Sequence, residues 1–297
     1  MKFIANYSMK GQSQSMIAVL LLSMITVWFA PLGMLLGAVI ALVTLRVGVN
    51  EGLKVLLIAM VANVGISMLL TGSSWSGVMA IAEYMLPIWL LALVLRKTNS
   101  LASVIHLAML MAGVGVVGFY LAVGEPVVWW TNIINSILLP IMLEAGLEAP
   151  KELMENMAKV ATMFFGMFVV ILWTSILLIA RWWQSELYFP GKFREDFFQI
   201  RLPKNVAYLA IVVALAGLLV ESGILRDLSG VIIAGLMFPG LAIAHQAVDV
   251  KKMSSGWLIG LYFLLFIFPQ MLLIVAAIGL VDTWLDIRSR WIQSTKI

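Results

Sequence analysis

The sequence predicts an all-α fold: a polytopic bundle of transmembrane helices with about nine spans. Of its 297 residues, 63% are hydrophobic and only 11% are charged, whereas soluble domains average roughly 45–50% apolar and about 25% charged residues. The apolar residues form continuous runs, and a helix needs about 20 such residues to cross the hydrocarbon layer. Barrel strands would instead alternate polar and apolar residues. No long polar stretch remains for a second domain, so we expect one integral membrane domain over residues 1–297.

Nine apolar runs, bounded by charged residues, Gly, Pro or Asn, are the candidate spans. They cover approximately residues 14–30, 32–48, 52–70, 76–95, 101–123, 161–181, 205–221, 229–248 and 257–281. The first two runs fit either a hairpin broken at Pro31 and Gly33 or one overlong helix. We expect the hairpin, because it places most of the 19 Lys and Arg residues on the cytoplasmic side, in agreement with the positive-inside rule.

This topology predicts a protein of the bacterial cytoplasmic (inner) membrane with a cytoplasmic amino terminus. Arg201 then lies on the cytoplasmic side. Three spans follow it, so Asp282, Asp286 and Arg288 are expected on the opposite side.

Residues 126–160 are predicted to form extracytoplasmic interfacial helices between the fifth and sixth spans. Apolar residues such as Trp130, Ile133 and Ile137 recur at helical spacing, while Thr131 and Asn135 fall on the other side. This pattern is typical of a helix that lies in the membrane interface. These helices either cap the bundle or form a lid over a cavity.

The segment 182–204 is predicted to be a cytoplasmic loop rich in aromatic and basic residues. Aromatic and Arg side chains settle at headgroup level and are also typical anchors of protein interfaces. The loop is therefore either a membrane anchor or a docking surface for a membrane or cytoplasmic protein. Acidic residues dilute its positive charge, so nucleic acid is not an expected partner. The candidate partner-binding residues are Trp182, Trp183, Tyr188, Phe193, Arg194 and Arg201.

The same loop carries a family resemblance. The matching features are the pair Trp182 and Trp183, the segment from Tyr188 to Phe193 with its Pro-Gly, the pair Phe197 and Phe198, and the sequence Arg201-Leu202-Pro203. In these residues the chain resembles the YybS-like family of uncharacterised bacterial integral membrane proteins. The resemblance implies membrane localisation and no particular chemistry. The helical character with small extramembrane parts is also similar to the substrate-binding subunits of energy-coupling-factor transporters.

Polar residues inside the spans are the candidate small-molecule site, because a carboxylate in hydrocarbon costs at least about 2.5 kcal/mol. Glu83 lies about 10 Å inside its predicted helix, and Pro87, four residues later, cannot donate a hydrogen bond to the Glu83 carbonyl. Broken helices with polar groups near mid-membrane form substrate sites in many transporters. The alternative is a kink in which Glu83 bonds to Asn63 or Tyr120 for packing alone.

Proline also interrupts the last two predicted spans. Pro239 frees the carbonyl of Gly235, and Pro269 precedes Gln270. We therefore expect Pro239 and Gln270 to line the site together with Glu83, Asn63 and Pro87, although such breaks more often produce curvature than binding.

Catalytic and cofactor motifs are missing from the sequence. It contains no HExxH, Gly-x-Ser-x-Gly, phosphate-loop or glycine-fingerprint motif, and no Cys. No metal or cofactor is expected, and the sequence offers no catalytic constellation in support of an enzyme, although a lipid-handling enzyme stays a third alternative. The leading hypothesis is a membrane component that binds or translocates a small molecule, and the alternative is a non-catalytic scaffold that recruits a cytoplasmic partner through residues 182–204.

Overall fold

The computed structural model describes residues 2–146 and 151–294, which are 87% helical and contain no strand. This confirms the predicted all-α class. Within the described residues the helices are α1 (Lys2–Ser8), α2 (Gln12–Trp28), α3 (Gly33–Arg46), α4 (Val49–Thr71), α5 (Trp75–Ala80), α6 (Leu86–Thr98), α7 (Leu101–Val123), α8 (Pro126–Glu144), α9 (Lys151–Tyr188), α10 (Lys192–Phe198), α11 (Lys204–Leu218), α12 (Ile224–Val250), α13 (Gly256–Ile267), α14 (Met271–Leu285) and α15 (Ile287–Ser294).

Six helical segments are long and apolar enough to cross a membrane. They are Val49–Thr71, Trp75–Thr98, Leu101–Val123, Pro126–Glu144, Lys151–Tyr188 and Ile224–Val250. Several of the predicted spans are instead shorter apolar helices, among them α2, α11, α13 and α14. The coarse prediction of many apolar helices is confirmed, while the count of nine spans stays a prediction.

The chain divides into two compact units. The first unit comprises Met1–Ala108 with Ile171–Gln199, and the second comprises Met109–Val170 with Ile200–Ile297. Each unit is described by itself below. The prediction of one membrane domain over 1–297 stays a prediction.

The first unit is built around α3, in which every residue from Leu35 to Leu45 is buried. Helix α2 ends at Trp28 and a single 3-10 turn, Ala30–Leu32, separates it from α3. Pro31 suits this turn because proline fits the first positions of a helix, where no N–H donor is required. The break confirms the prediction of two helices over residues 14–48, and the one overlong helix is excluded.

Helix α9 corrects two predicted boundaries. It runs without a break from Lys151 to Tyr188, about 57 Å at 1.5 Å per residue, which exceeds the roughly 30 Å of hydrocarbon. The predicted second interfacial helix over residues 151–160 is therefore the first part of α9, and residues 147–150 lie outside the described residues. Residues 182–188, predicted as loop, are its last part. The charged residues at both ends do not interrupt the helix because an α-helix tolerates Glu, Lys and Arg well.

The predicted loop 182–204 is largely a helical hairpin. After α9 the chain turns at Gly191, whose φ of 87° favours glycine, and continues as α10. The guanidinium of Arg181 donates to Asp196 from Nε at 2.9 Å and from Nη2 at 2.6 Å, and both residues are buried. This two-point contact fixes α10 against the end of α9.

In the second unit, α12 is the central helix, and α14 lies along it in the same direction. Leu272 lines a cavity with Ile233, Gly240 approaches the Val275 backbone, and Lys251 lies 5.5 Å from the Trp291 ring centre. Helix α13 instead runs back along α12, since Tyr262 bonds to His245 at 2.9 Å. The apolar run 257–281 is therefore two helices joined by a turn at Phe268–Gln270, not one span.

This arrangement corrects the predicted sides of the last charged residues. Arg201 forms an ion pair with Asp286 and approaches Asp282 at 3.6 Å, while Arg288 donates from Nη2 to the Ile200 carbonyl at 2.9 Å. Arg201 and residues 282–288 consequently lie together at one end of the second unit, which does not fit their predicted placement on opposite sides of a membrane. The sequence alone predicted opposite sides because no charge interrupts residues 257–281.

The ion pairs also hold α15 in place. Asp282 and Arg288 are both buried and bonded, with 2.8 Å between Arg288 Nε and Asp282 Oδ2. Hydrogen bonds from Ser289 and Arg201 hold the pKa of Asp286 below its ordinary value. Together these contacts bring the start of α11 and the end of α14 to one place.

Candidate functional site

Glu83 and Pro87 lie at a local widening of the helix. Residues Ile81–Met85 form one turn of π-helix between α5 and α6, a feature that is frequent at functional sites. Pro87 leaves the Glu83 carbonyl without its helical donor, and the Trp173 indole Nε1 donates to that carbonyl at 2.5 Å. The backbone break predicted here is thus satisfied by a side chain of the same unit.

The Glu83 side chain itself is exposed in the described structure. Of its two expected partners, Tyr120 belongs to the second unit, where its hydroxyl donates to Asp227 Oδ2 at 2.7 Å. Asn63 is 3% exposed, and its Nδ2 has no hydrogen-bond partner among the described residues. Asn63 lies where α4 and α5 meet closely, because a Cβ added to Gly77 would come within 2.7 Å of the Asn63 carbonyl oxygen.

Pro239 belongs to the packing of the second unit. Helix α12 continues through it, and a Cβ added to Gly279 would lie 3.1 Å from the Pro239 Cβ and 2.7 Å from the Leu236 carbonyl oxygen. Small residues of this kind let two helices approach closely. Pro239 therefore contributes to the α12–α14 contact, and it does not line the cavity described next.

Gln270 lines a cavity of about 500 Å³ within the second unit. Its apolar wall comes from α9, α12 and the start of α14, together with the last residues before the α11–α12 turn. Its polar groups come from three places: the α11–α12 turn, the first turns of α12 and the break before α14. The polar lining residues are Glu221, Arg226, Ser229 and Gln270, and the apolar ones include Met163, Phe164, Met167, Val220, Ile233, Leu272 and Leu273.

Two glycines give the cavity its shape. Gly217 lets α11 meet α12, because a Cβ there would fall 2.3 Å from the Ser229 Cβ. Gly223, with φ of 111°, forms the turn from α11 into α12, a conformation that other residues rarely adopt. The turn presents Glu221 just before α12 and Arg226 in its first turn, beside the break that presents Gln270.

The charged groups of the cavity form no hydrogen bond or close ion pair among the described residues, although the Arg226 charge acts on the neighbouring Asp227 carboxylate. No ion pair or hydrogen bond involves the Glu221 carboxylate or the Arg226 guanidinium within residues 2–146 and 151–294. Ser229 is already bonded, since its Oγ donates to the Arg226 carbonyl at 2.6 Å. One carboxylate and one guanidinium are therefore available to a molecule in the cavity.

Of the predicted site residues, Gln270 lines this cavity, whereas Glu221 and Arg226 line it and were not predicted. The sequence predicts only a connection between the spans 205–221 and 229–248 at this point. The available signal was the pair of helix breaks, at Gly223 and at Pro269, which each place polar residues between apolar helices.

The predicted partner-binding residues are distributed over both units. Trp183 is fully buried in the first unit, which removes it from any docking surface, and Arg201 is bound to Asp286 in the second. The Tyr188 ring lies under the Arg46 guanidinium at 4.2 Å, and the Phe193 backbone N–H donates to Ser185 Oγ at 2.9 Å. Trp182 is half-buried and Arg194 is exposed.

The described residues hold no group of three or more His, Asp or Glu side chains that could bind a metal ion. His245 bonds to Tyr262, as noted above.

Comparison with known proteins gives one match. The family model described as "Predicted membrane protein (DUF2232)" matches residues 16–283. Searches among curated proteins and among solved structures gave no match.

Proposed function

We propose that this chain, which belongs to the DUF2232 family of predicted membrane proteins, is a membrane component that binds a small molecule in the cavity of its second unit. The observation that carries the proposal is a cavity of about 500 Å³ with an apolar wall and a few polar groups. Small-molecule sites typically measure about 300–1,000 Å³ and share this composition.

The helix break beside the cavity also supports binding. The turn at Phe268–Gln270 interrupts the apolar run between α13 and α14, and broken helices are where many transporters place polar groups inside the membrane. We also include in this proposal the resemblance to the YybS-like family and to the substrate-binding subunits of energy-coupling-factor transporters. Glu83, Asn63 and Pro87 remain candidates for a second site, in the first unit.

We place the chain in the bacterial cytoplasmic membrane with its amino terminus in the cytoplasm. The support is the positive charge of the segments around Arg46, Arg96 and Lys192. With Arg201 also cytoplasmic, α11 leads to the other side, so the α11–α12 turn and the cavity open toward the extracytoplasmic surface.

Filling the cavity tests the proposal. Leu273 lines it, whereas the next residue, Ile274, does not, although both side chains are exposed on α14. Protein purified in mild detergent is examined by native mass spectrometry for a co-purifying non-protein mass. We expect Leu273→Trp to lower the bound fraction strongly and Ile274→Trp to leave it near that of the wild type. A wild-type protein without any bound mass, or equal occupancy in both variants, would contradict the proposal.

One observation supports the alternative function, a scaffold that recruits a cytoplasmic protein through residues 182–204. Phe189, at the tip of the α9–α10 hairpin, has a side chain that is 48% exposed, and Trp182, in the last part of α9, is half-buried. If this hairpin recruits a cytoplasmic protein, Trp182→Ala should abolish co-purification of that protein without changing occupancy of the cavity. Co-purification that survives Trp182→Ala together with Phe189→Ala would argue against recruitment by this surface.

A further inference from the structure

Oppositely charged side chains share one cavity without neutralising each other. Glu221 and Arg226 both line the cavity of the second unit, and no hydrogen bond or close ion pair holds either charge among the described residues, although Asp227 lies within electrostatic reach of Arg226. Five positions separate them, and Gly223 lies in the turn between them. Glu221 is exposed and Arg226 is half-buried, so a molecule that supplies both counter-charges can form a charge-assisted hydrogen bond with each.

The remaining wall specifies the rest of that molecule. The side chains beyond the charged pair are apolar and flexible or aromatic, among them Met163, Phe164, Met167 and Ile233. Methionine adapts its shape to irregular apolar ligands. Burying an apolar body there contributes about 25 cal/mol per Å² of surface removed from water.

We infer that the cavity takes a zwitterion with an apolar body: a molecule in which an acidic group meets Arg226, a primary ammonium meets Glu221, and an apolar chain lies against Met163, Phe164 and Ile233. This inference rests on the proposed function and names its ligand class. Arginine suits carboxylate and phosphate groups because its planar guanidinium donates two parallel hydrogen bonds. Gln270 and the rim of the cavity add neutral polar contacts.

Two sources could supply this chemistry, a free amino acid with an apolar side chain or a single-chain lipid with a zwitterionic headgroup. The test therefore uses phenylalanine as the water-soluble probe and lysophosphatidylethanolamine as the lipid probe. Lysophosphatidylglycerol with the same acyl chain lacks the ammonium, and monoacylglycerol lacks both charges. Binding of each is measured by the shift of the thermal unfolding midpoint of the purified full-length chain across a concentration series.

Variants in which Glu221 or Arg226 is replaced by the neutral Gln then show which side chain binds which charged group of the probe. We expect one of the zwitterionic probes to bind at least roughly tenfold more tightly than monoacylglycerol, the factor expected of one charge-assisted hydrogen bond. Glu221→Gln should lower zwitterion affinity to that of lysophosphatidylglycerol, and Arg226→Gln should weaken every probe with an acidic group. The matched controls are Glu155→Gln and Lys151→Gln, exposed charges on α9 that do not line the cavity.

The outcomes separate the inference from the proposed function. Binding of phenylalanine alone or of the lipid alone, with the two expected losses, supports the inference and identifies the source. Equal affinity for monoacylglycerol and the zwitterions, or zwitterion binding that is insensitive to both variants, would overturn the inference while the cavity remains a binding site. If no probe binds and the native protein carries no bound mass, both the inference and the proposed function fail.

Discussion

Arg181 fixes the structure of residues 182–198, which the composition of that segment does not predict. Its charge lies in a buried position, and the structure compensates it with Asp196 and with Gln184 Oε1, which accepts from Nη1 at 2.5 Å. A buried charge that lost its partner would be costly, because the protein interior solvates it poorly. Helix α10 is therefore held against α9 by an electrostatic contact that the amino-acid pattern does not reveal.

Removing the acidic partner should destabilise the first unit. We expect Asp196→Ala to lower the free energy of unfolding by about 3–5 kcal/mol, since it leaves the Arg181 guanidinium buried and uncompensated. The measurement is thermal unfolding of the purified protein in detergent. Glu195→Ala is the control, because its side chain is 64% exposed and pairs only with Lys192, so its effect should stay below about 1 kcal/mol. Equal losses in the two variants would show that the Arg181 contact does not stabilise the fold.

At the scale of elements, α12 and α14 pack with their backbones close together. A Cβ added to Gly240 would lie 2.0 Å from the Val275 carbonyl oxygen, and one added to Gly279 would lie 2.6 Å from the Gly240 nitrogen. These glycines are required by the partner helix rather than by their own conformation. The approach also sets the direction of α14 and, through it, the position of Gln270 in the cavity.

Alanine at Gly240 tests this close contact. We expect Gly240→Ala to destabilise the chain by about 1–3 kcal/mol, the usual cost of overpacking a well-packed contact. Gly115→Ala in α7 is the control, because nothing lies within 4 Å of its added Cβ, and alanine there should be neutral or stabilise the helix by roughly 0.5–1 kcal/mol. The readout is again thermal unfolding, and a harmless Gly240→Ala would contradict the backbone contact between α12 and α14.

At the scale of the whole molecule, the contacts of Arg201 bear on the proposed membrane topology of the second half. Arg201 and Arg288 both contact Asp282, so in the proposed topology the chain between them crosses the membrane an even number of times. In that topology α11 and α12 lead away and back, and so do α13 and α14. Placing the carboxy-terminal segment with Arg201 also follows the positive-inside rule better than the arrangement that the apolar runs predicted.

Introduced cysteines can check this topology directly, because the sequence contains no Cys. We expect Lys192→Cys and a Cys appended after Ile297 to resist a membrane-impermeant maleimide in intact cells and to react after permeabilisation. Ser222→Cys, in the exposed turn before α12, should react in intact cells. If the appended Cys instead reacts in intact cells, as Ser222→Cys should, the chain crosses the membrane an odd number of times after Arg201, and this prediction is wrong.

Several features followed from the sequence itself, because they depend on local composition and local backbone chemistry. Continuous apolar runs predicted a helical membrane protein, Pro31 with Gly33 predicted the break between α2 and α3, and Pro269 predicted an interruption before Gln270. Each of these depends on residues within about one helical length, where hydrophobicity and the missing proline N–H act directly.

Only the tertiary structure decided which distant residues meet. It brought the Trp173 indole to the Glu83 carbonyl and Arg201 to Asp286. It also placed Glu221 and Arg226 in the wall of one apolar cavity. The physical reason is that these contacts depend on the direction and approach of whole helices, which are set by close packing at positions such as Gly240 and Gly217. An apolar run carries the same hydrophobicity in either direction, so its sequence predicts that it is buried or spans a membrane but not which helices lie beside it.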